Sequence, residues 1–198
     1  MAVAATGFFD GVHLGHRKII ETLVETACRR GEESLIVTFW PHPRIALDKD
    51  ASSLKLLLPL EEKIRMIREL GVDRVEVLEF TPQFASMTAA GYLQMLARDF
   101  SVTAVVLGYD TRMGSDQLGP DEIARAAGGL DIFRCGPVGT VSSTKIRNLV
   151  SAGRLDEASS LLGYDYSEKL LSLQNNEGSA NQAELLFNRT ISWQKYIT

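Results

Sequence analysis

The sequence predicts an α/β protein built on a doubly wound, mainly parallel sheet, and two observations carry that prediction. Short apolar, β-prone runs alternate with amphipathic helical patterns along most of the chain, with no internal repeat or low-complexity domain. Strands separated by helices of this length are joined by crossovers, which sets neighbouring strands parallel. The 198 residues suffice for one full core with a small appendage.

The apolar run 2–5 is strand-sized, and Gly7, Phe8, Phe9, Asp10, Gly11, Val12, His13, Leu14, Gly15 and His16 follow it. Ile19, Ile20, Leu23 and Val24 then recur at helical spacing, so the stretch reads as strand, tight loop and helix N-terminus. Free backbone N–H groups and the positive end of the helix dipole make such a place a phosphate site. His13 and His16 come onto one side as the loop enters its first helical turn, with Gly15 expected to leave space between them for a polyphosphate. A single histidine in a turn is usually solvated or a cap. Here, however, all three histidines, His13, His16 and His42, fall in the first quarter of the chain, two of them in this loop. The spacing is neither G-x-G-x-x-G nor a P-loop.

The first helix fades at Arg29, Arg30 and Gly31, with Cys28 expected in the core. Residues 34–39 form a second strand, buried on both faces. Trp40, Pro41, His42 and Pro43 then make an extended, rigid turn at its carboxyl end, where open α/β sheets bind ligands. A polar loop spans 48–53, and an apolar patch of no evident role spans 54–60. A helix over 61–70 carries Ile64, Ile67 and Leu70 on one face and leads to a strand over 74–79. After a loop at 81–86, a helix over 87–98 buries Tyr92, Leu93, Met95 and Leu96. A strand over 103–107 delivers the glycine-flanked loop 108–114 to the same edge, and a helix over 120–127 and a strand over 130–135 complete the alternation.

Ser142, Ser143 and Thr144, with Lys145 and Arg147, stand immediately before a helical pattern at Ile146, Leu149 and Val150. Capping alone accounts for the hydroxyls, and the two cations are surplus to it. If Ser143 or Thr144 opens the helix, its free N–H groups and Arg147 converge on an oxygen-rich anion. This makes a second phosphate site.

An apolar fraction of 45%, a charged fraction of 23% and a net charge of −4 describe an ordinary globular chain and argue against broad nucleic-acid binding. Cys28 and Cys135 offer no disulfide framework, and no eighteen-residue apolar stretch or secretory leader pattern is present. A cytoplasmic protein without membrane or nucleic-acid partners is expected.

The first loop resembles the H-x-G-H signature of the nucleotidyltransferases and, more narrowly, the FMN adenylyltransferase half of the bacterial FAD synthetase family. Thr38, Phe39, Trp40, Pro41, His42 and Pro43 are similar to that family's T-F-x-P-H-P segment, and 141–147 to its I-S-S-T-x-I-R, here opening with Val. Residues 163–166 resemble its G-x-x-Y exit, so the likeness covers about 3–166. It implies a Rossmann-like fold of the H-x-G-H type. The implied reaction converts FMN and ATP to FAD and pyrophosphate by in-line attack on the α-phosphorus, with Mg²⁺ expected and its ligands unassigned. By the same resemblance His13 and His16 contact the phosphates in the transition state. Gly7, Phe8, Phe9, Asp10, Gly15, Ser142, Ser143, Thr144 and Arg147 bind the nucleotide, and Phe39, Pro41, His42, Pro43, Asp110 and Met113 line the flavin side. Asp10 is equally suited to fixing the loop by hydrogen bonds.

Two departures stand out. The family's G-x-[DN]-F-x-F-G has Thr111 and Met113 in place of its aromatics, which weakens stacking on a flavin ring. A nucleotidyltransferase domain is expected over 1–166 and a tail over 167–198, without the family's riboflavin kinase barrel or its activity. In that tail a helix-like stretch runs to Leu173, and an alternating run over 185–197 suits an edge strand, a subunit contact or disorder. Two other readings stay open: an H-x-G-H enzyme with another phosphorylated acceptor, and a catalytically weak flavin- or nucleotide-binding regulator. The oligomeric state is not legible.

Overall fold

The structure, a computed structural model, describes residues 1–47 and 54–176. The polar loop at 48–53 and the alternating run at 185–197 lie outside the described residues. Five strands, β1 (Ala2–Thr6), β2 (Glu33–Trp40), β3 (Arg74–Glu79), β4 (Val102–Leu107) and β5 (Asp131–Arg134), make one sheet in the order β3-β2-β1-β4-β5. Every pairing is parallel, as the alternating pattern predicts. The helices are α1 (Leu14–Arg30), α2 (Pro43–Ala46), α3 (Leu60–Glu69), α4 (Pro82–Ala85), α5 (Ala89–Phe100), α6 (Pro120–Ala126), α7 (Ser143–Ser151), α8 (Leu155–Leu162) and α9 (Tyr166–Asn176). From β1 the chain winds outward through β2 to β3, then returns to β4 on the other flank. The strand order therefore reverses between β1 and β4, and the crevice beyond their carboxyl ends is the ligand position of this topology.

Strand alternation divides the core. Val3, Ala5 and Ile36 face Ile20, Leu23 and Ala27 of α1 and Met66 and Ile67 of α3. Ala2, Ala4, Leu35, Val37, Val105 and Leu107 face Tyr92, Leu93 and Leu96 of α5 and Ile123 of α6. A third cluster joins Leu57 to Ile146, Leu149 and Val150 of α7, Ala158 and Leu162 of α8, and Tyr166. Packing continues past Tyr166, because Leu170 and Leu173 of α9 lie against these clusters.

Several expectations are corrected. Cys28 is exposed, since α1 buries Ile20, Leu23, Thr26 and Ala27 and turns position 28 to solvent. The buried stripe of α3 is Lys63, Met66 and Ile67, rotated by one residue from the face led by Ile64. The loop at 81–86 contains the one-turn helix α4, capped by Thr81. The Pro41 to Pro43 turn is extended only as far as His42, which N-caps α2 while Pro43 occupies its first turn. The 54–60 patch acquires a role, with Leu57 and Leu58 each 2% exposed in the core and Pro59 leading into α3.

Candidate active site

The loop between β1 and α1 is held in an uncommon backbone path. Phe9 is left-handed at φ 55° and ψ 31°, Gly11 has φ 79° and Val12 φ 39°. A Cβ on Gly11 would lie 2.7 Å from Leu57 Cδ1, so only glycine permits both that φ and that contact. His13 N-caps α1, its Nδ1 accepting the His16 amide at 3.3 Å. That acceptor role puts the proton of the neutral ring on Nε2.

The two imidazoles stack, with centroids 3.6 Å apart and planes at 11°, and Phe9 meets His16 edge-on at 5.2 Å. No polyphosphate fits between rings at that distance, which corrects the expectation of a gap. Gly15 serves the stack instead, since a Cβ there would stand 3.2 Å from His13 Cε1. Alanine at position 15 should favour the helix by up to about 1 kcal/mol while pushing His13 off His16. Gly15→Ala is therefore expected to melt no lower than the parent and to turn over several-fold more slowly. Unchanged turnover would remove the stack from the functional account.

Burial holds these rings neutral. His13 is depressed to about 4 by desolvation, with the charge of Asp110 opposing. His16 lies well below its ordinary value, through desolvation and the neighbouring His13 and Lys63. His42 is likewise brought to about 4 by desolvation and by Arg147, Arg44 and Lys63. Each folded value lies below the unfolded one, so between about pH 4 and 6.5 the unfolded chain binds protons that the folded chain refuses, and stability rises with pH there. The melting midpoint is expected to fall as pH drops from 6.5 toward 4.5, and a flat profile would contradict neutral, buried rings.

The second anion segment is tied to the first. Ser142, not Ser143 or Thr144, is the N-cap of α7, its hydroxyl accepting the Lys145 amide at 3.2 Å. Ser143 Oγ donates to the Asp10 carbonyl at 3.0 Å, and Arg147 Nη2 lies 3.3 Å from Asp10 Oδ2. Asp10 is 3% exposed and also accepts the Leu57 amide at 3.0 Å. Burial raises its pKa, with Arg147, the Leu57 amide and Lys63 opposing. Lys145 turns back to Thr140, away from Asp10. The N–H groups of Ser143 and Thr144, in the first turn, have no intrahelical acceptor. His16 Nδ1 and Arg147 Nε are among the buried side-chain atoms with no hydrogen-bond partner among the described residues.

Phe8 connects this loop to the end of β2, stacking on Trp40 at 6.4 Å and meeting His42 edge-on at 4.3 Å. His42 Nδ1 accepts the Arg44 amide at 3.1 Å. The structure thus brings Gly7 to Asp10, His13, Gly15, His16, Ser143, Arg147 and His42 into one region, with Pro41 and Pro43 beside it in the chain and Asp110 within electrostatic reach of His13. Phe39 and Met113 are elsewhere. Phe39 points to the α5 side and packs with Phe84 and Tyr92, and Met113 is 5% exposed in the same cluster. Met113 lies outside the named strands, in an isolated bridge with Leu118, and its side chain is buried against the α5 side.

Sequence reasoning missed three participants. Lys63, 1% exposed, donates to the Phe8 carbonyl at 2.8 Å and to Thr38 Oγ1 at 3.0 Å. Tyr164 Oη donates to the Gly11 carbonyl and Tyr166 Oη to the Leu57 carbonyl, both at 2.9 Å. A lysine on one face of α3 carries no signal of burial, although the two tyrosines lay within the recognised exit segment. Among the described residues no group of three or more His, Cys, Asp or Glu side chains converges on a metal position, and no helix is long and apolar enough to cross a membrane.

Fold and site together define a doubly wound α/β domain of the H-x-G-H nucleotidyltransferase type. The chain belongs to the FAD synthetase family, whose model matches residues 1–149. It is 35% identical over 173 residues to the bifunctional riboflavin kinase/FMN adenylyltransferase of Listeria monocytogenes, covering 84% of this chain and 55% of that one. Against the Bacillus subtilis protein of the same name it is 33% identical, with 83% and 54% covered. A solved structure called a macrolide-efflux protein from Streptococcus pneumoniae superposes with TM-score 0.76 at 30% identity, over 82% of this chain and 55% of that one. The chain spans about half the length of these relatives.

Proposed function

We propose that this chain transfers the adenylyl group of ATP to FMN, releasing pyrophosphate. The observation that carries the reading is the join between the two anion segments: Asp10 fixes Arg147 and Ser143 against the loop bearing His13 and His16. An oxygen of the FMN phosphate attacks the α-phosphorus, and the bond to the bridging α,β oxygen breaks with its electrons leaving on pyrophosphate. The protein's part is alignment and charge stabilisation. His13, protonated on Nε2, offers a neutral donor, and His16 Nδ1 and Arg147 Nε are groups that phosphate oxygens would satisfy. The first turn of α7 faces the leaving group with its free N–H groups. Mg²⁺, a hard cation that needs few protein ligands beside phosphate oxygens, would enter with the triphosphate and supply charge neutralisation there.

Phe8, Trp40 and His42 form the aromatic surface beside the loop, on which the isoalloxazine ring of FMN would be received. Because Met113 is buried and Thr111 offers little area, a different phosphorylated acceptor is the second reading. Domain limits of 1–166 with a tail over 167–198, and a cytoplasmic location, go with the first reading. Purified protein with ATP, Mg²⁺ and FMN should form FAD and pyrophosphate in equal amounts. Pyrophosphate formed only with another acceptor selects the second reading, and nucleotide binding without turnover refutes both.

A further inference from the structure

Lys63 is a charged residue where α3 would ordinarily bury a leucine or methionine, and burying an ammonium is costly unless it is fully partnered. Its partners are specific. Nζ donates to the Phe8 carbonyl at 2.8 Å and to Thr38 Oγ1 at 3.0 Å, and it stands 4.0 Å from the centre of the Phe8 ring. The Thr38 hydroxyl in turn donates to the same Phe8 carbonyl at 3.2 Å, closing a triangle. That carbonyl belongs to the peptide entering Phe9, the non-glycine residue at φ 55°. A non-glycine residue stays left-handed only where its surroundings over-determine it, and fixing the preceding carbonyl does so. The Phe9 ring then bears on His16.

Building on the adenylyl-transfer reading, we infer that Lys63 is a positioning residue: its ammonium locks the Phe8 carbonyl to Thr38, holds the left-handed turn at Phe9 and thereby sets His16. One cation thus fastens both loops, since Thr38 leads into Trp40 and His42 and the Phe8 ring packs on both. Its charge also reaches both rings, disfavouring protonation of His16 and His42, while Asp10 is the acidic group acting on it. Desolvation brings the Lys63 pKa down to about 7, against the opposing charge of Asp10, so ammonium and neutral amine are both populated near neutral pH and either can donate to the Phe8 carbonyl.

Lys63→Met keeps the length and removes the donor and the charge, whereas Lys63→Gln keeps a donor without charge. Thr38→Val removes the second anchor and leaves α3 untouched. Each is assayed for FAD and pyrophosphate, and its histidine rings are followed by ¹⁵N NMR, which three histidines make assignable. For Lys63→Met we expect kcat to fall by about 10- to 100-fold, with KM for ATP within about threefold of the parent. The His16 signals should shift and their titration move upward. Lys63→Gln should recover part of kcat, and Thr38→Val should displace the His16 signals to a smaller degree. Turnover within about twofold of the parent with unmoved His16 signals, or losses in all three variants that merely track the folded fraction, would overturn the inference. Should the parent form no FAD, the adenylyl-transfer reading fails, and the His16 shifts alone then decide whether Lys63 positions the ring.

Discussion

Arg147→Ala is expected to lose about 3–5 kcal/mol of stability and all measurable FAD formation. The guanidinium side chain is 15% exposed and its partner carboxylate 3%, so truncation leaves the buried Asp10 with the Leu57 and Leu58 amides and Lys63 to answer its charge. That situation differs from Arg65 with Glu62 or Arg154 with Glu157, where the arginine is more than half exposed and a pair contributes about 1 kcal/mol or less. Urea denaturation measures the first effect. The double variant Asp10→Asn/Arg147→Ala is expected to recover much of the stability and none of the turnover, because it removes the stranded charge without restoring a cation to the leaving group. A single-variant loss below about 1 kcal/mol would put the pair in the surface class and remove it as the join between the two anion segments.

His16→Ala is expected to lower kcat by roughly 10²- to 10³-fold, the loss that follows removal of one preorganised transition-state donor. The ring stacks on His13 at 3.6 Å, and its Nδ1 is buried without a partner among the described residues. A polar atom so placed gains a partner when a phosphate oxygen reaches it, once the groups covering it give way. The fold should persist, as the ring lies at the edge of the core rather than within it. KM for ATP should change far less than kcat. Full turnover by the alanine variant would exclude His16 from the chemistry.

The sheet was legible because parallel strands buried on both faces, such as 34–39, leave continuous apolar runs, and because Gly31 ends the first helix where a left-handed residue is needed. Arg74–Glu79 matches its predicted span residue for residue. The hydroxyl-rich opening of α7 was legible as a helix start, although Ser142 and not Ser143 or Thr144 is its N-cap. Lys63 escaped because helical periodicity assigns a lysine to solvent by type, and only the neighbouring carbonyl and hydroxyl make burial tolerable. Phe39 and Met113 were expected on the flavin side. Sequence brings them to the right sheet edge, but which face a side chain takes depends on register, and both turn toward α5. Asp10 could be read either as a ligand contact or as a loop anchor, and its bonds to Leu57 and Arg147 favour the anchor.

The tyrosines of the exit segment bear on how the chain assembles. Gly11 and Leu57 receive their hydrogen bonds from Tyr164 and Tyr166, and Glu62, the residue before Lys63, pairs with Lys169 of α9. Contacts this distant in sequence close late, after the local helices and the nearer strand pairs have formed. During synthesis Gly11 therefore emerges 153 residues before Tyr164, the last of the groups that fasten the loop. A chain stopped at residue 149, where the family match ends, would carry every histidine and all five strands yet lack the tyrosines that hold Gly11 and Leu57, leaving the first loop less firmly fixed.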